Sequence, residues 1–106
     1  MEKIKVLLIC GSGASSGFMA TNISKAAKKK GIDISITARS KSEIDSYADS
    51  VDMIMIGPHM KHIKPEVEEK VEGKNVKVVV MKKSYYALLD GESALEHIQS
   101  KFEEKA

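Results

Sequence analysis

Ile4-Lys5-Val6-Leu7-Leu8-Ile9-Cys10, followed at once by Gly11-Ser12-Gly13-Ala14-Ser15-Ser16-Gly17, is the stretch on which the fold turns. Its first part is an apolar run of strand length that ends on the only cysteine of the chain. Apolar residues at nearly every position suit a strand covered on both sheet faces. Seven small residues come next, three of them glycine and three serine. Beyond them Phe18, Met19, Ile23, Ala26 and Ala27 recur at helical spacing, which predicts a helix from about Ser16 to Lys30. Strand, small-residue loop and helix make an anion cradle. Loop N–H groups and the helix N-terminus converge on one point, and the helix dipole favours negative charge there. A thiol at that point is expected to ionise more readily, and the same donors can hold a phosphoryl group carried on it.

Outward from this element, strand and helix patterns alternate. Gly31 stops the first helix, and Lys25, Lys28, Lys29 and Lys30 load its negative pole. Residues 32–37 alternate apolar and polar, a strand with one wetter face at a sheet edge. Residues 42–47 read as a short helix capped by Ser40 or Ser42. Residues 51–56 form a buried third strand ending at Gly57-Pro58, where proline suits the first turn of a helix. A turn or two over 59–63 leads to an acid-fronted helix from Pro65 to Glu72, stopped by Gly73. Residues 76–81 are the fourth strand, and 84–89 a short segment before Asp90-Gly91. The last helix, 92–102, buries Ala94, Leu95, Ile98 and Phe102. Met53 and Met55 share a strand face and belong to the core, whereas His62 and His97 read as surface residues.

This order predicts a three-layer α/β fold: a parallel sheet of four strands with helices on both faces. Ligands of such sheets bind beyond the carboxyl ends of the strands, at a switch in strand order. Three loops meet there, 11–17, 57–59 and 82–86. They carry Cys10 and its small residues, His59, and Tyr86 at the site edge, with Phe18 and Met60 as an apolar rim for docking.

Composition narrows the function. A chain of 106 residues is expected to be one domain, 1–106. Its formal charge of +2, with Arg39 the only arginine, argues against nucleic acid. One cysteine excludes an internal disulfide and suits a reducing compartment. The apolar start is too short for a secretion signal, and Ile9 is too bulky to precede a cleavage site. No stretch is long enough to insert in a membrane, so a cytoplasmic location is expected. Cys10, His59 and His62 have neither zinc-type spacing nor an acidic cluster, so no metal is expected.

The cysteine loop admits several chemistries. A low-molecular-weight tyrosine phosphatase would carry Cys-x5-Arg-Ser here, but the sixth residue after Cys10 is Ser16. Without that guanidinium the equatorial oxygens of a transferring phosphoryl group are not clamped. Nor does any Asp-Pro pair supply a general acid. The loop is equipped to accept a phosphoryl group rather than to hydrolyse it, which fits a carrier. No Gly-Lys-Ser/Thr follows, the glycine spacing misses the dinucleotide pattern, and no second cysteine stands nearby for redox work. A phosphatase- or arsenate-reductase-like cysteine enzyme and a non-enzymatic anion-binding regulatory module remain as alternatives.

The chain resembles the lactose/cellobiose-type enzyme IIB components of the bacterial phosphoenolpyruvate-dependent sugar phosphotransferase system. The resemblance spans nearly the full length. It rests on Val6 to Cys10 with Gly13 and Ser15-Ser16, on Val51-Asp52 to Gly57-Pro58 with Pro65, and on Tyr86 with Asp90-Gly91. It implies strand order 2-1-3-4 in a fold similar to the low-molecular-weight tyrosine phosphatases. It also implies a relay. A IIA histidine hands its phosphoryl group to Cys10, and the IIC permease passes it to a sugar of the cellobiose, lactose or other β-glucoside class. Cys10 is then the nucleophile, Gly11, Ser12, Gly13, Ala14, Ser15, Ser16 and Gly17 the phosphate-binding loop, and His59 and Tyr86 the site edge. No cofactor is implied, and the carrier would be a monomer, visiting the inner face of the membrane only beside the permease. His59 stands where the family often has glutamine, and Ala14, Ser16 and Gly17 where it often has Met and a Ser/Thr pair. These departures bear on sugar and partner choice rather than on the nucleophile.

Overall fold

The computed structural model describes residues 3–9 and 13–103, the side chains of 13–16 and 103 excepted. Strands β1 (Ile4–Ile9), β2 (Ile34–Arg39), β3 (Met53–Ile56) and β4 (Lys77–Val80) alternate with helices α1 (Gly13–Lys30), α2 (Ile44–Tyr47), α3 (Lys64–Lys70), α4 (Lys83–Ala87) and α5 (Gly91–Glu103). Short 3-10 turns, Lys41–Glu43 and Pro58–Ile63, lead into α2 and α3. All strand pairs are parallel, in the order β2-β1-β3-β4.

The continuous apolar runs of β1 and β3 serve two cores. Val6, Leu8, Met53 and Met55 face one way, beneath Met19, Ile23, Ala26 and Ala27 of α1 and Ala94, Leu95 and Ile98 of α5. Leu7, Ile9, Ile54 and Ile56 face the other way and meet Ile44, Ala48, Ile63, Val67 and Val71. Helices therefore cover both faces. β2 is half-buried along most of its length, as suits an edge strand.

Several boundaries differ from the sequence reading, each for a local reason. α1 starts at Gly13, not Ser16, because Gly-Ala-Ser-Ser-Gly shows no apolar periodicity yet is compatible with a helix. Ser15 and Ser16 accordingly lie inside α1 and do not cap it. β2 spans 34–39 rather than 32–37, set by its register of Ile4 with Ile34 through Ile9 with Arg39. Ile32 instead closes α1: its N–H donates to Ala27 at 2.8 Å, and Gly31 N–H to Lys28 at 3.2 Å. Gly31 takes φ +72, the left-handed conformation this helix stop requires. β3 begins only at Met53, where Asp52 ends the regular ladder with a side-chain bond to β1. The Asp52 carboxylate accepts the Lys5 N–H at 2.8 Å, while its own N–H donates to the Lys5 carbonyl at 2.7 Å. α3 ends at Lys70, two residues before the expected Glu72. Phe102 is half-buried rather than enclosed, with Lys77 Nζ 5.6 Å from its ring centroid.

Candidate functional site

β1, β3 and β4 end at the same edge of the sheet, and the hydrogen-bond ladder runs one step past them. Gly57 N–H donates to the Ile9 carbonyl at 2.9 Å, and Met81 N–H to the Ile56 carbonyl at 2.8 Å. These bonds hold Gly57-Pro58 beside the point where β1 leaves the sheet, and Met81-Lys82 beside the end of β3. The next residue, Cys10, lies outside the described residues together with Gly11 and Ser12. The backbone of Gly13, Ala14, Ser15, Ser16 and Gly17 is described, and it is helical. The seven-residue loop of the sequence reading is thus corrected, since five of its members open α1. That change favours an anion site, because the first four N–H groups of a helix have no intrahelical acceptor. No acidic residue occupies the first turn of α1, and Lys28, Lys29 and Lys30 occupy its last. Gly17 is exposed, and a Cβ there would meet open space, so the fold itself does not demand this glycine for close approach. Phe18 beside it is 64% exposed, as expected of a docking rim.

Pro58 takes the first position of its 3-10 turn after Gly57, whose extended backbone starts the turn. That geometry presents His59 at the surface. α4 presents Tyr86, half-buried against the α1/α5 core. The two rings meet with centroids 5.8 Å apart at a tilt of 40°, so the structure joins the two site-edge residues that the sequence placed on separate loops. They border a concavity of about 720 Å³ whose floor is Pro58, Val80, Met81 and Ala87 and whose rim includes Lys61, His62 and Lys83. Met60 does not contribute to an exposed rim; it is partly buried against the α2/α3 core.

His97 also departs from its sequence reading. It is half-buried, and its Nδ1 lies 2.6 Å from the hydroxyl of Tyr85, with the rings edge-to-face at 5.7 Å. Burial pushes the Tyr85 phenol up to about 12, and a hydrogen bond from the Lys82 backbone offsets this only in part. Tyr85 therefore stays protonated at neutral pH, and its hydroxyl and the His97 ring share one hydrogen bond whose donor is set by the imidazole tautomer. α4 and α5 bring this pair together from 12 residues apart, a distance at which sequence periodicity carries no signal. Among the described residues, no cluster of three or more His, Cys, Asp or Glu can hold a metal ion. Among them, too, no helix is long and apolar enough to cross a membrane.

The family model for the lactose/cellobiose-specific IIB subunit of the phosphotransferase system (PTS) matches residues 5–97. The chain belongs to this family. A similar relative of this IIB chain is the PTS oligo-beta-mannoside-specific EIIB component of Bacillus subtilis (strain 168). The two are 29% identical over 91% of this chain and 93% of that one. The PTS lactose-specific EIICB component of Lacticaseibacillus casei is 26% identical over 93% of this chain, which spans only 18% of that longer protein. Among solved structures, the lactose-specific IIB domain of Streptococcus pneumoniae superposes with a TM-score of 0.84. It covers 93% of this chain and 97% of that one at 18% identity, a likeness of fold. The strand order implied by resemblance is the one observed. As a IIB subunit the chain is a phosphotransferase component, and nothing in these relationships supports the phosphatase-like or regulatory alternatives.

Proposed function

We propose that this IIB chain is a phosphocarrier in which Cys10 accepts a phosphoryl group from a IIA histidine and yields it to a sugar during uptake through a IIC permease. The observation that carries this reading is the bond from Gly57 to Ile9. It sets the Gly57–His59 turn, and through it Tyr86, against the end of the strand that leads into Cys10, with the α1 N-terminus opening three residues later. In the first transfer the Cys10 thiolate attacks phosphorus, an S–P bond forms and the N–P bond of the phosphohistidine breaks. The bonding pair returns to the imidazole nitrogen. In the second, a sugar hydroxyl attacks, the S–P bond breaks, the thiolate is regenerated and the hydroxyl proton passes to solvent or a base of the permease. The α1 amides face the negative charge on the phosphoryl oxygens throughout, and no arginine of this chain is available in the loop to speed hydrolysis.

The loop residues Gly11, Ser12, Gly13, Ala14, Ser15, Ser16 and Gly17 are assigned to phosphate binding, chiefly through those backbone N–H groups that precede the first hydrogen bonds within α1, with His59 and Tyr86 at the edge. Relatives named for an oligo-beta-mannoside and for lactose support a β-linked sugar of the cellobiose, lactose or other β-glucoside class. The EIICB relative, in which one protein carries both names, supports a IIC partner. We assign the carrier to the cytoplasm as a monomeric single domain, meeting the membrane only through the permease. Incubation with phosphoenolpyruvate and the upstream PTS proteins, followed by intact-mass spectrometry, tests the assignment. One phosphoryl group is expected on the wild type and none on Cys10→Ser; a phosphorylated Cys10→Ser chain refutes it.

A further inference from the structure

We infer that the groove between the Pro58–Ile63 turn and α4 docks an acidic surface of the phosphoryl-donating IIA protein, an inference that rests on the carrier reading. The groove is lined by two lysines, Lys61 and Lys83, and by no aspartate or glutamate. Acids are otherwise plentiful, 15 in 106 residues, so this acid-free surface is a local property and not a reflection of composition. Most of the neighbouring lysines are neutralised within the fold. Lys41 pairs with Glu66, Lys64 with Glu68, Lys70 with Asp45 and Lys74 with Asp49. Lys61 and Lys83, both exposed on the groove rim, enter none of the ion pairs among the described residues. Solvated lysines over an apolar floor attract an anionic surface at a distance and then let it bury area on contact.

Three features select the donor as occupant. The groove includes the His59–Tyr86 contact, and the turn that carries His59 is bonded through Gly57 to Ile9, the last residue of the strand that leads into Cys10. The donor meets the chain in its unloaded, positively charged form, whereas the permease meets the loaded, near-neutral one. Transfer also removes the attraction: the chain carries +2, and a phosphoryl group brings about −1.5 to −2, so the product is near neutral. The same charge that draws a loaded donor in is cancelled once the cargo is accepted, which promotes release. A concave surface with an apolar floor suits a protein better than a flat anionic membrane.

The test uses isotope-labelled full-length chain, titrated with an unphosphorylated IIA protein of the lactose/cellobiose class and, separately, with phosphatidylglycerol vesicles. With IIA, amide shifts are expected across residues 58–63 and 82–87. Lys61→Glu combined with Lys83→Glu should weaken binding about tenfold at low salt, and the difference should shrink at high salt. The glutamine pair should fall between, with thermal unfolding unchanged in both variants. Equal affinity of the reversed variant, shifts that avoid the groove, or groove shifts produced by vesicles and not by IIA would overturn the inference. Cys10→Ser separates it from the carrier reading, since that variant should bind IIA normally and accept nothing. A wild-type chain that docks IIA through the groove yet is never phosphorylated would refute the carrier and leave the docking surface standing.

Discussion

Gly17 and Gly91 look alike in the sequence, each a glycine near a helix start, but they answer to different forces. Gly17 lies within α1, exposed, with open space where a Cβ would go. Gly17→Ala should therefore raise stability by about 0.5–1 kcal/mol in urea unfolding, through the lower backbone entropy of the unfolded chain. A loss would mean that its conformation is not helical. Gly91 is buried where α5 crosses α1, and a Cβ would press on the Asn22 carbonyl and sit 2.8 Å from Ile23 N. Asn22 Nδ2 also donates to the Leu89 carbonyl at 2.8 Å, fixing the same junction. Gly91→Ala should cost about 1–3 kcal/mol by the same measurement, because backbone cannot yield as a flexible side chain does. Only the crossing of α1 and α5 distinguishes the two, since close approach is a property of three dimensions. The Gly57-Pro58 break was legible because that pair punctuates the end of a strand. The Tyr85–His97 bond was not, because an adjacent tyrosine pair gives no sign of which ring turns inward.

Among the elements, α4 and α5 are held by polar contacts that pH can probe. Tyr85 is 4% exposed, and its phenol is raised to about 12 from 10.0, so the folded state keeps a proton that the unfolded chain loses first. The contribution is whole below pH 10 and declines as pH rises through about 12. Tyr85→Phe should flatten that alkaline decline in fluorescence-monitored or calorimetric melts, and an unchanged slope would show that another group is responsible. At the start of α5, Asp90 accepts from the Ser93 hydroxyl at 2.8 Å and its N–H at 3.2 Å. The Ser93 hydroxyl is the main reason its carboxyl lies below the usual 3.8. Here the sign reverses: the contribution is present above the ordinary value and lost as pH falls through the lower folded one. Asp90→Ala should lower the melting temperature at neutral pH and weaken the acid-side dependence. Lys29–Glu92 at 3.9 Å and Lys30–Glu96 at 4.0 Å also join α1 to α5, but these exposed pairs contribute roughly 0–1 kcal/mol. Lys28, Lys29 and Lys30 stand in the last turn of α1 as expected, and the reach of Lys29 and Lys30 to α5 could not be foreseen. The four strands and the long helices were legible from apolar period, whereas 84–89, read only as a short segment, folds in part as α4. The start of α1 and the shift of β2 were not legible, because small residues carry no period and register belongs to a pair of strands.

At the scale of the molecule, the sheet is a partition. Ile23 of α1 and Ile44 of α2 are each fully buried, one in the α1/α5 core and the other in the α2/α3 core. β1 and β3 send alternate side chains into both, so a single backbone layer serves two apolar interiors that do not mix. Alternation in β1 and β3 was hidden in the sequence by their uniform apolarity, which foretold two covered faces without saying which helix covers which. The partition predicts energetic independence with structural cooperativity. Ile23→Val and Ile44→Val each remove one buried methylene and should each cost about 0.5–1.5 kcal/mol in urea unfolding. Residues that share no cavity and no partner add, so the double variant should lose the sum to within about 0.5 kcal/mol. The cores remain coupled through the strands they share, so all three variants should unfold in one transition, with circular dichroism and tyrosine fluorescence coincident. A double variant costing much more than the sum would mean that strain crosses the sheet. Separate transitions for the two probes would mean that one layer melts before the other, and the site at the end of β1, built from both sides, would then open with it.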